Sequence, residues 1–529
     1  MQASIGNATL NIRAALAGLV AELRGKPRGP AHSNIQGVAR GQADTLMLPM
    51  LLLLYVAAMT VFAACVRNWA PMHADSTEML AWGRAFELGY SKHPPLGAWV
   101  AGAWFTVMPC ANWSFNLLGT LVAVSGLVGV WKLAGLFLDA RGQRLAMLPL
   151  MLTPAFTTWV FKYNANSILL GVWPWAAYFF LRMLATRALL PSILAGVFAA
   201  LAMLGKYYSV VLLATLFCVL LVHPDRNRVL LSPAPYVAAC AAAIVLAPHV
   251  WWLWQRREVA LAYAISRTTF DPDNARWTTI RSVAGGFLTL LGPMLVLAYA
   301  YGRAAPPALR DLRAALSRPQ VPPLLILAAG PLLFTILAYL LGSVRIGGEF
   351  LLPAFFAVPL ALIHLYGSYD DGVVRRGTGA VLTIVAGATV LAPVIGIATF
   401  LTARHPLLEP RAELAAAATD FWRGATGQPL RRVAGQERAA TGIVFYSEDQ
   451  PRYMDGAAGF WFDRTLPEIR RDGLLFVCGS DDTACPGHAR KVLGEGGYQR
   501  FTFKGSHEVL WGFSGPMYTF ELYVLPPQP

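Results

Sequence analysis

The sequence predicts an α-helical polytopic membrane protein of about 11 to 13 spans, counted at about 20 apolar residues each, with a small C-terminal α/β domain outside the membrane. Three observations predict it. Hydrophobic residues make up 56% and charged residues 14% of the 529, against roughly 45–50% and 25% in an average soluble chain, so the excess apolar surface must be solvated by lipid. Apolar runs of near-spanning length recur along residues 46–401. Basic residues fall between these runs, and beyond residue 401 the pattern changes to short punctuated segments.

The formal net charge of +14, from 43 Lys and Arg against 29 Asp and Glu, would in isolation suit nucleic-acid binding. No single basic stripe exists, and the cytoplasmic loops of membrane proteins carry such an excess, so a nucleic-acid partner is excluded.

Residues 1–45 form a basic cytoplasmic segment with Arg13, Arg24, Lys26, Arg28 and Arg40. No small-residue cleavage site follows the first apolar run convincingly, so 46–65 is read as a retained span. Further spans are predicted near 115–138, 145–161, 165–184, 189–205, 208–222, 234–254, 283–301, 322–342, 351–367 and 378–401. The shorter run 96–108 (LGAWVAGAWFTVM) decides the topology. If it does not cross, the inside loops carry Arg141 and Arg144, Arg182 and Arg187, Arg226 and Arg228, Arg303 to Arg318, and Arg375 and Arg376. A crossing there would move every one of these loops outside, against the positive-inside rule. The run is therefore expected to lie along the outer interface or to re-enter. Eleven spans over a transmembrane domain of 46–401 follow, with the C-terminus outside.

Residues 402–529 read as a water-exposed domain, with a helix around 410–424 and strand-like runs GIVFYS, LLFVCG and YTFELYVLP between Gly, Pro and Asp punctuation. Cys65, Cys110, Cys218 and Cys240 lie in or beside apolar segments, as small hydrophobes do. Cys478 and Cys485 would pair in an oxidising compartment, while spacing alone leaves two free thiols equally open. The sequence shows no fixed-period repeat, phosphate-cradling Gly loop or metal-type Cys/His cluster.

The chemistry concentrates in the outer segments. The first outer loop, 66–95, combines Asp75, Glu78, Glu87, Lys92 and His93 ahead of Pro94-Pro95. A carboxylate there can take a proton from an attacking hydroxyl, and a Lys can offset charge growing on a departing phosphate. Exposed charge clusters are often merely solvated, and His93 before two prolines can simply orient a turn. Later outer turns present Lys162, Asn164 and Asn166 in FKYNANSILL, Lys206, Tyr207 and Tyr208 in GKYYSV, and Arg345 and Glu349 in GSVRIGGEFLLP. Taken singly, such cations usually only snorkel to the interface, and Arg345 with Glu349 reads equally well as a structural ion pair. Their convergence on the face of a carboxylate-bearing loop is what a site for an anionic lipid head requires.

Asp75 followed by SKHPPLGAW resembles the first outer loop of the GT-C superfamily, specifically family 39 bacterial glycosyltransferases related to protein mannosyltransferases and the lipid A aminoarabinose transferase. NANSILLGVWPWAAYFFLRML, ALAMLGKYYSVVLL and GQPLRRVAGQERAATGIVFYS resemble later segments, so the similarity covers most of the chain. The resemblance implies a GT-C-type fold and inverting transfer of a hexosyl or pentosyl unit from a polyprenyl-phosphate donor at the periplasmic face of a bacterial inner membrane. The acceptor would be lipid A, another glycan or a protein. It implies Asp75 as the catalytic carboxylate, and Lys92 and Arg345 as partners of the carrier phosphate. No cofactor is required; a divalent metal stays open but is not indicated. Two departures stand out: the usual Asp-Glu pair is Asp75-Ser76, with Glu78 one helical turn on, and the acidic residue common in the second outer turn is replaced by Asn164-Ala165-Asn166. Asparagine hydrogen-bonds but is no base near neutral pH. Two rivals stay open, a polytopic secondary transporter and a GT-C relative that has lost its chemistry. Transporters, though, tend to place ionisable groups near the midplane rather than at one face.

Overall fold

With no water in a bilayer core to bond backbone groups, apolar runs must close their hydrogen bonds internally, and this chain does so as helices. The structure, a computed structural model, describes residues 34–256, 272–302, 313–314, 316–342, 348–367, 369–403, 408–454, 467–494, 496–509 and 513–528. Helix α1 (Asn34–Val66) leads through α2 (Ala74–Gly83) and α3 (Leu96–Trp104) to α4 (Asn112–Ala134). Next, α5 (Ala140–Met147) continues as three short 3-10 helices ending at Lys162, before α6 (Ala165–Thr186). The membrane part is completed by α7 (Leu189–Gly205), α8 (Val210–Val222), α9 (Ala234–Gln255), α10 (Pro272–Thr289), α11 (Leu291–Tyr301), α12 (Val321–Gly342), α13 (Val358–Tyr366) and α14 (Asp371–Leu401).

Among the described residues eight helical segments are long and apolar enough to cross a membrane, and α7 and α8 are shorter apolar helices. The predicted span 145–161 is not one α-helix. Pro149 and Pro154 each sit at the first turn of a 3-10 helix, where a missing N–H is tolerated, so the run is broken into short 3-10 turns. Its two ends make different contacts: Asp139, ahead of α5, accepts from the Tyr369 hydroxyl at 2.8 Å, whereas Lys162 reaches Asp75. At nine residues α3 is too short to span. It packs instead against α2, so closely that a Cβ on Gly83 would lie 2.3 Å from the Ala98 carbonyl oxygen. Small residues likewise let the first and last membrane helices touch, since a Cβ on Gly396 would meet the Cys65 carbonyl oxygen at 2.3 Å. Consequently α1 and α14 end side by side, with the Trp69 and Phe400 rings 5.5 Å apart.

The C-terminal domain holds α15 (Arg411–Thr426), β1 (Arg432–Gly435), α16 (Glu437–Tyr446), β2 (Arg452–Tyr453), β3 (Leu474–Gly479), α17 (Cys485–Leu493), β4 (Gln499–Gly505), β5 (Glu508–Val509), β6 (Phe513–Ser514) and β7 (Tyr518–Leu525). The main sheet runs β2-β1-β3-β7-β4, with β1 parallel to β2 and β3, and β7 antiparallel to β3 and β4. Leu475 and Val477 of β3 pack with Trp422, Ile443 and Val444 on one face, while Leu474, Phe476 and Cys478 pack with Ala489 and Leu493 on the other. Coverage on both faces explains why LLFVCG is apolar throughout rather than alternating. GIVFYS, predicted as a strand, is the end of helix α16. A short run of branched and aromatic residues is ambiguous between the two periods; here Ala439, Ala440, Ile443 and Val444 share the helix face that packs with the sheet, while Thr441 and Phe445 are buried against the loop after α1. Cys478 and Cys485 form a disulfide, with Cα atoms 5.6 Å apart. Closing so short a loop stabilises by roughly 2–3 kcal/mol. Reduction should lower the domain's denaturation midpoint accordingly, read by tryptophan fluorescence with and without dithiothreitol.

The domain is fastened to the loop after α1. The Tyr446 hydroxyl accepts from the Met72 N–H at 2.7 Å and donates to Asn112 at 2.8 Å. Arg411 donates to the Met72 carbonyl at 2.8 Å, Arg84 to that of Val444 at 2.7 Å, and the Thr77 and Thr441 hydroxyls bond at 2.9 Å. His507 places Nδ1 2.8 Å from Glu413 and Nε2 2.7 Å from the Trp69 carbonyl. Both partners accept, so only the imidazolium satisfies both. The hydrogen bond from Glu413 accordingly raises the His507 pKa, against burial, and Glu413 is lowered by His507 against its own burial. A raised histidine stabilises fully below its unfolded pKa of about 6.5, and a lowered glutamate fully above about 4.3. The clasp should therefore be strongest between these values. It weakens as pH rises through the folded value of His507, and His507→Gln should flatten that part of the melting-temperature profile.

Candidate active site

His73 caps the N-terminus of α2, its Nδ1 accepting from the Asp75 N–H at 3.1 Å, and this holds Asp75 in the first turn, where helix N–H groups favour a negative charge. Across from it, Asn164 caps α6 in a capping box: its Oδ1 accepts from the Asn166 and Ser167 N–H groups at 2.9 and 3.3 Å, while the Ser167 hydroxyl accepts from the Asn164 N–H. With Oδ1 so occupied, Asn164 Nδ2 points outward and donates to Asp75 at 3.1 Å and to Glu349 at 3.3 Å.

A chain of alternating polar groups results. Lys162 Nζ lies 3.3 Å from Asp75 and 2.6 Å from Glu349. Asn166 donates to Glu349 at 3.3 Å and accepts from Lys206 at 2.7 Å. Lys206 in turn sits 3.6 Å above the centroid of the Phe350 ring. Burial would raise the Asp75 pKa, but the charge of Lys162 and the Asn164 hydrogen bond, joined by the pull of His73 whenever that ring is protonated, hold it below the usual carboxylate range. Glu349 thus brings from another segment the carboxylate that Asn164-Ala165-Asn166 lacks.

A second cluster lies on the far part of α2. Lys92 donates to Glu78 at 2.7 Å and to Glu437 at the start of α16. Burial and the Glu437 charge raise the Glu78 pKa well above normal against the pull of Lys92, and the two carboxylate charges raise Lys92 in spite of its burial. Tyr207 bonds His249 Nε2 at 2.9 Å, and His249 Nδ1 bonds the Leu88 carbonyl at 2.6 Å. His93 accepts through its carbonyl from the Tyr90 N–H and sets its ring edge-on to Trp82.

Of the sequence-predicted residues, then, Asp75, Asn164, Asn166, Lys206 and Glu349 come together, Glu78 and Lys92 form a separate group, and Tyr207 and His93 belong to neither. Arg345 lies outside the described residues. Sequence reading left Lys162 as an interfacial cation and passed over His73, Arg411 and Glu437. A His two residues before an acidic helix start was a capping signal for the first, whereas nothing local marks Glu437 as a partner of a lysine 345 positions away.

Two cavities flank this region. A polar one of about 370 Å³ lies between the α2 N-terminus and the C-terminal domain, lined by His73, Asp75, Arg411, Gln436, Arg438 and Asp481 among others. An apolar cleft of about 460 Å³ lies within the membrane part, lined by Phe62 of α1, Thr157 and Thr158, Leu295 of α11 and Ile384 of α14. Among the described residues no three His, Cys, Asp or Glu side chains are grouped to hold a metal ion.

Residues 92–252 match the family model described as dolichyl-phosphate-mannose-protein mannosyltransferase. No curated protein matches the chain in sequence. Among solved structures, ArnT from Cupriavidus metallidurans in the apo state superposes with a TM-score of 0.56 at 12% identity, over 89% of this chain and 97% of that one. The same enzyme bound to undecaprenyl phosphate gives 0.54 at 12%, over 89% and 98%. With its membrane helices, its interfacial loop helices and its C-terminal sheet domain in this order, the chain is an integral membrane protein of the GT-C fold.

Proposed function

We propose that the protein is an inverting glycosyltransferase that moves a sugar from a polyprenyl-phosphate carrier to an acceptor hydroxyl at the periplasmic face of a bacterial inner membrane. One observation carries the reading: Asp75 stands between a membrane-side array of cations and a polar cavity under the C-terminal domain. The disulfide and the basic loops support the periplasmic placement of that domain. The undecaprenyl phosphate in the ArnT complex supports the class of donor.

In the proposed step, the acceptor oxygen attacks the anomeric carbon as its proton passes to Asp75, and the bond from that carbon to the phosphate oxygen breaks with its electrons to the phosphate. Lys92 sits in the separate group with Glu78 and Glu437, whereas Lys162 touches Asp75 itself and Lys206 joins the same chain through Asn166, so Lys162 and Lys206 are the proposed phosphate partners. In the resting site Lys162 suppresses the basicity of Asp75. An arriving phosphate competes for Lys162 and frees the carboxylate to accept a proton, so donor binding itself readies the base. The apolar cleft offers a wall for part of the isoprenoid chain.

The test is transfer of radiolabelled sugar from defined polyprenyl-phosphate donors to an acceptor-rich membrane extract by the purified protein. Transfer supports the reading. Undecaprenyl phosphate binding without transfer would sink it in favour of a relative that has lost its chemistry.

A further inference from the structure

We infer that the polar cavity beneath the C-terminal domain is the acceptor subsite, that it takes a compact hydroxyl-rich glycan unit, and that the Cys478–Cys485 disulfide positions part of its wall. The inference rests on the glycosyltransferase reading and adds to it which surface presents the acceptor.

The cavity has Asp75 on its membrane side and Gln436, Glu437, Arg438 and Asp481 on its domain side. Asp75 lines this cavity, whereas Lys162 and Lys206 do not, so a hydroxyl bound there reaches Asp75 without displacing the proposed phosphate partners. Its volume of about 370 Å³ falls within the range of small-ligand pockets. The lining mixes donors with acceptors, which suits a ring of hydroxyls rather than an apolar head. Arg411 is buried and spent on Glu409 and the Met72 carbonyl, whereas Arg438 is half-buried and has no hydrogen-bond or ion-pair partner among the described residues. An extended peptide would call for an open sheet edge along its path, and the described lining here is helix starts and loop.

Asp481 is held in place by its surroundings. Gln436 donates to it at 3.0 Å and accepts from the Gly479 N–H at 3.0 Å. The loop that carries it, 479–484, is the segment the disulfide closes. The disulfide is thus a positioning element for the acceptor wall.

The experiment titrates the mild-acid-released envelope oligosaccharide fraction against full-length protein in nanodiscs, with a fixed polyprenyl-phosphate donor. Arg438→Ala and Asp481→Asn should each raise the acceptor concentration for half-maximal transfer about tenfold, with the maximal rate and undecaprenyl phosphate affinity within about twofold. Arg438→Lys should recover part of the loss. The Cys478→Ser/Cys485→Ser pair should shift acceptor dependence in the same direction without changing donor affinity. Unchanged acceptor dependence in both Arg438→Ala and Asp481→Asn, while the parent transfers, overturns the subsite and leaves the enzyme reading standing. Transfer to serine-containing peptides with the oligosaccharides idle also overturns it. No transfer by a parent that binds undecaprenyl phosphate overturns the enzyme reading and the subsite together.

Discussion

Asp75→Asn should lower transfer by about 10²- to 10⁴-fold, the range a positioned base contributes, while leaving expression and undecaprenyl phosphate binding intact. The substitution keeps the shape of the side chain. Lys162 keeps Glu349 at 2.6 Å, so no buried cation is stranded, and the cap from His73 uses the backbone N–H rather than the carboxylate. What disappears is the atom pair that can hold a proton. The parent should also show a characteristic pH profile. The free-enzyme Asp75 is held below the ordinary carboxylate range, so kcat/KM should stay flat on the acid side through about pH 4, where an unassisted carboxylate would be about half protonated. Parent-like turnover by the asparagine variant would remove Asp75 from the mechanism.

Lys92→Met should destabilise the docked C-terminal domain by about 1–3 kcal/mol, the cost of leaving one buried carboxylate unpaired beside a partly hydrated one. Lys92 is the one cation bonded to both Glu78 and Glu437 among the described residues, and Glu78 is only 5% exposed. Without the lysine the buried Glu78 carboxylate faces that of Glu437, which lines the polar cavity. Glu78 already has a raised pKa, so the variant should regain stability as the pH falls and Glu78 takes up a proton. Adding Glu437→Gln should restore much of the loss. Protease sensitivity of the domain and thermal melting read both effects. A Lys92→Met protein of unchanged stability but weakened undecaprenyl phosphate affinity would return this lysine to the phosphate site that the family resemblance assigns to it.

The membrane helices were legible because lipid imposes a length and a polarity that single runs must satisfy, and α3 was legible as a non-crossing segment because the loop arginines fixed the orientation of everything around it. Asp75 and the Asn164 segment were legible as chemistry because charged and amide groups beside apolar runs are costly without a use. Three features were hidden. The broken 145–161 segment looked like any other apolar run, since proline at the first turn of a helix leaves hydropathy untouched. GIVFYS carried strand-type residues but took its helical form from the sheet it had to cover. The pairings of Lys162 with Asp75 and of Lys92 with Glu437 depend on segments 87 and 345 positions apart, and no local pattern encodes a distance across the fold.

The adjacency of α1 and α14 carries a consequence for biosynthesis. The loop with Asp75 and Lys92 emerges early, but the carboxylate of Glu437 that completes the Lys92 cluster is made 345 residues later. At about 5–20 residues per second that interval is roughly 17–70 s. Throughout it the inserted first helix and its loop wait for the last helix to slot in beside them at Gly396 and deliver the C-terminal domain. A chain interrupted anywhere in between therefore presents an uncovered loop, open to proteases.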